Sequence, residues 1–334
     1  MEQRRLTWVD TAKGWGILAI VVSHVFTGHP VSRWLYSFHV PLFFFLSGYL
    51  FKVDRPWGEF WRGKIKKLLI PYFALALPIV PAEAALYGGR EWFWEETLEM
   101  GLGVLLQRRM WPIWFLACLF VLEIIAYPLF RLLKRPWHLG FAAALCGAAA
   151  VAYTQAGLPA LPWNLDACFG EMPFFAAGYL LKNSKPASGW LEAGKGRILT
   201  FFLLAFGNVL FAMPAVRGRV PGMDVFQCQY GIPWLSFPAA FCGIGAVLLA
   251  SQYLTASPIR YLGKNSLLYF VWHQTPVITA IYYFFPKWGI AMENYPSALA
   301  MLGEKGLELA IILLVITVCN ELLARSGFRW VLGK

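Results

Sequence analysis

The sequence predicts an all-α, polytopic integral membrane bundle of about ten transmembrane helices, with both termini cytoplasmic. Three observations predict it. Of the 334 residues, 59% are hydrophobic and only 14% charged, with a mean hydropathy of +0.56; a soluble domain carries roughly a quarter charged residues. Apolar runs near the length of a membrane crossing recur along the chain. Finally, the cationic residues sit between those runs and favour alternate connections.

In chain order the apolar segments are 12–28, 35–53, 67–87, 112–131, 138–155, 164–181, 198–215, 231–254, 265–285 and 307–324. Pro71, Pro78, Pro81, Pro128, Pro173, Pro238 and Pro276 lie in or beside them, so several helices are expected to kink or break. A short amphipathic stretch near Leu98–Leu106 is expected along the surface. Each odd-numbered connection is outer and each even-numbered one inner. The inner side then holds 21 of the 29 Lys and Arg: the N-terminal tail, Lys52–Lys67, Arg131–Arg135, Lys182–Arg197, Arg260–Lys264 and the C-terminus. The outer side holds Arg33, Arg90, Arg108, Arg109, Arg217, Arg219, Lys287 and Lys305, and its longest loop, "GGREWFWEETLEM", is rich in glutamate.

The chain reads as one membrane-embedded domain, 1–334, without a soluble unit or clear internal repeat. A net charge of +11 suggests nucleic acid, but the basic residues are scattered in short interhelical clusters, so no nucleic-acid partner is expected. Cys118, Cys146, Cys168, Cys228, Cys242 and Cys319 show no CxxC spacing and read mostly as small buried hydrophobes. "MEQRR" before the first apolar run is not read as a secretory signal, because no small-residue cleavage site follows.

An ionisable residue inside a span is a functional-site hypothesis by default. "VDTAKGWGILAIVVSH" carries Lys13 and His24 on one helical face, separated by about 16 Å along the axis. Lys13 also reads as a snorkelling inner anchor beside Asp10, and His24 as an interhelix contact. His39 opens the second span after a short loop, so it is expected near His24. His273 lies about ten residues into the ninth. Glu123, Glu171 and Glu321 are further intramembrane carboxylates, which together suggest a polar cavity. No histidine pair has i, i+3 or i, i+4 metal spacing, so no metal is expected. P-loop, GxSxG and HExxH motifs are absent.

Six blocks, "VDTAKGWGILAIVVSH", "FHVPLFFFLSGYLF", "KIKKLLIPYF", "WFLACLFVLE", "FFAAGYLL" and "LGKNSLLYFVWH", resemble in order those of the membrane-bound acyltransferase-3 family. The likeness is strongest to its fucose 4-O-acetylase-like branch, whose members O-acetylate carbohydrates. The resemblance implies a ten-helix bundle in the bacterial inner membrane. It implies acetyl-CoA as acyl donor and a carbohydrate or lipid-linked sugar as acceptor, with membrane lipid around the bundle. The family's basic residue, ten-residue gap and histidine fall on Lys13 and His24, with Lys where Arg is common, which keeps the charge but loses the bidentate fork. Its Phe-His-x-Pro block falls on Phe38, His39 and Pro41. No hydrolase-like domain of the kind some members append is expected.

The chemistry of O-acetyl transfer fits these residues. A neutral imidazole, His24, removes the hydroxyl proton, either for direct attack on the thioester or after an acyl-imidazole forms. His39 orients His24, binds the acceptor or bridges helices. Ser47, Tyr49, Asn265 and Ser266 are candidate oxyanion donors. Asp10, Glu123, Glu171 and His273 are candidate acceptor contacts. Lys13, Arg62, Lys64, Lys66, Lys67 and Lys264 are candidate cations for the donor's phosphates, although positive-inside charge alone also places cations there. A proton-coupled transporter or flippase is the main rival, because intramembrane His and Glu also relay protons; a non-catalytic scaffold is a second.

Overall fold

The computed structural model describes residues 6–87, 92–107, 109–183, 196–290, 292 and 295–333. Arg90, Glu91, Arg108 and most of the Lys182–Arg197 loop therefore lie outside the described residues. Among those described, the secondary structure is helical apart from one two-residue hairpin.

Helix α1 (Thr7–Val25) is followed by a short helix α2 (Pro30–Tyr36) and by α3 (His39–Leu50). Next come α4 (Trp57–Lys64), a π-helical turn (Ile65–Leu69), α5 (Ile70–Ala76) and α6 (Ile79–Tyr87). Helix α7 (Phe93–Leu106) presents Leu98, Leu102, Leu105 and Leu106 outward, on the stretch expected to be amphipathic. The long helices α8 (Trp114–Leu132), α9 (Pro136–Gln155), α10 (Leu165–Asn183) and α11 (Gly196–Val216) follow. Strands β1 (Met223–Asp224) and β2 (Gln229–Tyr230) pair antiparallel, Met223 opposite Tyr230. Last come α12 (Pro233–Ala250), α13 (Ser257–Lys264), α14 (Ser266–Trp272), a π-helical segment (His273–Ile278), α15 (Thr279–Phe284) and α16 (Ala298–Arg325).

Six stretches are long and apolar enough to cross a membrane: Trp57–Ala85, Trp114–Leu132, Pro136–Gln155, Gly196–Val216, Pro233–Ala250 and Ala298–Arg325. Several of them expose apolar stripes. On α11, Ile198, Phe202, Phe206 and Leu210, spaced by four, are each more than half exposed. Such a stripe on a helix of crossing length suits a lipid-facing surface. The other four predicted spans, 12–28, 35–53, 164–181 and 265–285, fall on helices of a different kind. Helix α3 has only 12 residues, about 18 Å of rise, and the segment after Lys264 is broken into α14, the π turn and α15. Helices α1 and α10 are long enough, but Asp10, Lys13, Asp166, Glu171 and Lys182 dilute them. These four elements lie in the interior together with α8, most of whose residues are covered by its neighbours. Helix α10 packs on α9 and α3, α3 on α1, and α1 on α13. Helices shielded from lipid by others have no need of a lipid-compatible surface, and polar groups collect on them.

Helices α1 and α13 touch backbone to backbone. A Cβ on Gly14 would fall on the Ile259 carbonyl, and one on Gly263 on that of Asp10. This contact brings the helix that ends at Lys264 against the N-terminal half of α1. The expected outer loop around Lys305 is instead helical: Lys305 is buried in α16 and donates to Tyr282 Oη at 2.9 Å and to Glu308 Oε2 at 3.1 Å.

Candidate active site

At the end of the bundle where α1 terminates, a cavity of about 450 Å³ opens between α1, α2, α3, α14 and two connecting loops. Its walls carry His24, His39 and His273, so three residues from distant parts of the chain converge. The His24 ring lies 4.8 Å from the His273 ring, centroid to centroid, and 5.9 Å from Tyr36, which in turn stands 4.8 Å from His39.

The three imidazoles are held differently. His39 Nδ1 lies 2.6 Å from the Leu35 carbonyl, and His273 Nδ1 lies 3.0 Å and 2.9 Å from the carbonyls of Tyr269 and Phe270. A carbonyl oxygen only accepts, so both Nδ1 atoms carry the proton, and in the neutral rings the lone pair sits on Nε2. His273 Nε2 has no hydrogen-bond partner among the described residues. Nor do the ring nitrogens of half-buried His24. His39 and His273 are thus oriented by backbone, whereas His24 is held by packing and is open to the cavity.

Two loops complete the walls. The first is pinned by Gln107, whose Nε2 donates to Tyr72 Oη at 2.8 Å while its Oε1 accepts from the Met110 amide at 2.8 Å; Tyr72 itself donates to the Val104 carbonyl. Gln107, Arg109 and Trp111 adopt positive φ, so the backbone winds tightly and turns Arg109 and Trp111 toward the cavity. Glu83 of α6 stands close to the Trp111 indole and to the Thr275 and Thr279 hydroxyls, so α6 lies beside both this loop and the break after His273. The second loop is the β1–β2 hairpin, which supplies Asp224 and Phe226. Burial pushes the Asp224 carboxyl above the usual aspartate range, against the amides of Gln227 and Phe226 and the charge of Arg109. On the side toward the middle of the bundle the floor is aromatic. Phe270 lies 4.5 Å from Phe115 and 5.7 Å from Phe43.

The remaining predicted site residues lie elsewhere. Ser47 and Tyr49 sit about 12 and 15 Å along α3 from His39, and Tyr49 packs on Trp8 at 5.0 Å. Asn265 and Ser266 stand at the opposite end of α14 from His273. None of the four lines the cavity. Glu123 is paired with Lys64 at 2.7 Å, and Glu171 is fully buried with both carboxylate oxygens unpartnered among the described residues. Lys13 is half-buried and Asp10 buried at the other end of α1, while Arg62, Lys66, Lys67 and Lys264 are exposed. Among the described residues, no three His, Cys, Asp or Glu side chains are grouped to hold a metal ion. The reading from sequence missed Tyr36, Arg109, Trp111, Asp224 and Gln274. Only Asp224 left a signal, as the lone acidic residue between α11 and α12.

Residues 6–320 match the acyltransferase-3 family, described as an acyltransferase domain, and the chain belongs to that family. It is a multi-pass membrane acyltransferase. No curated protein and no solved structure matches the chain.

Proposed function

We propose that the protein is an acetyl-CoA-dependent O-acetyltransferase of the fucose 4-O-acetylase-like kind, with His24 as general base. Its acceptor is a hydroxyl of a carbohydrate or glycoconjugate. The carrying observation is the His24 ring itself, which faces the cavity with its nitrogens uncommitted and is backed at 4.8 Å by His273. In this reading the six long apolar stretches and the four remaining segments make ten crossings in the bacterial inner membrane, with both termini cytoplasmic. The histidine cavity then lies toward the outer face.

In the transfer, the acceptor O–H gives its proton to His24 as the oxygen bonds to the thioester carbonyl carbon. Collapse of the tetrahedral intermediate breaks the C–S bond, and the departing thiolate takes the proton from the imidazolium. The products are an acetyl ester and CoA. Tyr36 and Gln274, both on the cavity wall, carry donors suited to the oxyanion. The donor's phosphates meet the inner cations Lys13, Arg62, Lys66, Lys67 and Lys264. Lys64 already neutralises Glu123 and serves the fold before any ligand. In this reading the thioester approaches His24 along the wall formed by Phe270, which packs on Phe43 and Phe115.

Purified protein incubated with acetyl-CoA and a panel of glycosides tests the reading. Free thiol and a product heavier by about 42 Da per site are expected. His24→Ala is expected to lower kcat by about 10²–10⁴ while thermal unfolding stays near wild type. Full activity in that variant removes His24 from the mechanism.

A further inference from the structure

The histidine cavity is lined by charged as well as aromatic side chains. Asp224 is carried there by the β1–β2 hairpin, whose turn at Cys228 lies against α9, with Thr154 Oγ1 2.9 Å from both the Cys228 and the Ala150 carbonyls. Asp224 Oδ1 accepts from the Gln227 amide at 3.2 Å. Among the described residues, the other charged side chain lining the cavity is Arg109. Its Nη2 is bound to Asp166 Oδ2 at 2.5 Å, and the Asp166 side chain is 2% exposed, so that carboxylate is committed to the guanidinium. Arg109 Nε has no partner among the described residues. The three groups sum to one negative charge around an aromatic enclosure of Tyr36, Trp111, Trp114 and Phe226.

We propose that Asp224 and Arg109 hold the acceptor by adjacent hydroxyls of an uncharged sugar ring, and that the site discriminates against uronates and phosphosugars. This rests on the acetyl-transfer reading above and names its substrate class. A carboxylate accepts two hydroxyl hydrogens side by side, and a guanidinium already neutralised by Asp166 donates to oxygen without demanding an anion. The aromatic walls suit the apolar C–H face of a sugar ring. An acceptor bearing its own carboxylate or phosphate meets Asp224 as a like charge in a partly desolvated site, where repulsion is only weakly screened.

The test uses the full-length protein in detergent with methyl glucoside, methyl galactoside and methyl rhamnoside, and with the methyl glycosides of glucuronate and galacturonate. Product is followed by mass, and donor-free binding by tryptophan fluorescence. Wild type is expected to acetylate at least one neutral glycoside and to bind the matching uronate at least tenfold more weakly. Asp224→Asn, an isosteric change, is expected to raise the neutral acceptor's KM and dissociation constant at least tenfold, with a smaller change in kcat, and to narrow the gap to the uronate. Asp224→Glu is expected to recover part of the affinity. Unchanged acceptor binding in folded Asp224→Asn overturns the clamp, as does a wild-type preference for the uronate, and either result leaves acetyl transfer standing. Absence of CoA release with every acceptor defeats the transfer reading, and the clamp with it.

Discussion

Gly170→Ala tests whether the hairpin positions the acceptor. Gly170 lies in α10, and a Cβ there would come within 2.8 Å of Tyr230 Cε1 and closer still to Cζ and Oη. Tyr230 is only 3% exposed, with its ring stacked on Phe237 at 5.8 Å, so it has no free direction in which to swing. Accommodating the methyl requires the ring to retreat by on the order of 1 Å, an overpacking cost of about 1–3 kcal/mol. The helix propensity of alanine works the other way by roughly 1 kcal/mol. A net loss of stability therefore signals the clash. Tyr230 pairs with Met223, the neighbour of Asp224, so the displacement reaches the cavity mouth within one residue. Expected are a fall in Tm of about 1–3 °C and a severalfold rise in acceptor KM. Tyr230→Leu in the same chain is expected to restore part of both, giving a coupling of about 1 kcal/mol in the double-mutant cycle. A Gly170→Ala protein with wild-type Tm and KM, or strictly additive effects in the cycle, refutes the reasoning.

Other outcomes follow from the same geometry. Lys64→Met strands the Glu123 carboxylate, whose side chain is 6% exposed, and is expected to cost about 3 kcal/mol of stability by thermal unfolding, while Lys64→Met with Glu123→Leu recovers most of it. A Lys64→Met protein as stable as wild type would show that the pair carries little. Because burial raises the Asp224 carboxyl above the usual aspartate range, the anion is lost at a higher pH than for an exposed aspartate. For the neutral acceptor, kcat/KM should fall as pH drops through that window, and Asp224→Asn should lack this limb. An acid limb persisting in Asp224→Asn assigns it to another group.

Much of the fold class was legible because lipid acts on composition. A helix with most of its surface toward acyl chains must be apolar over a crossing length, and α9 and α11, with few buried residues, show this with no tertiary information. The equal treatment of ten spans was less informative. Helices α1, α3, α10 and α14 are interior, so their apolar runs are shorter, interrupted or interspersed with Asp10, Lys13, Asp166 and Glu171. Hydropathy alone does not separate a crossing in lipid from a core helix surrounded by protein. The histidines were legible as cavity residues because an imidazole is costly in lipid. The oxyanion candidates Ser47, Tyr49, Asn265 and Ser266 share elements with the histidines, but one helical rise after another carries them away from the cavity.

Sequence by itself determined the membrane class, and it singled out His24, His39 and His273 because their solvation requirement is a property of each residue. Only the tertiary structure decided what surrounds them. Arg109 and Trp111 enter through a loop held by Gln107, and Asp224 enters through a hairpin seated against α10. Those positions depend on contacts between segments far apart in the chain, and neither charge nor hydropathy at a single position encodes such distances.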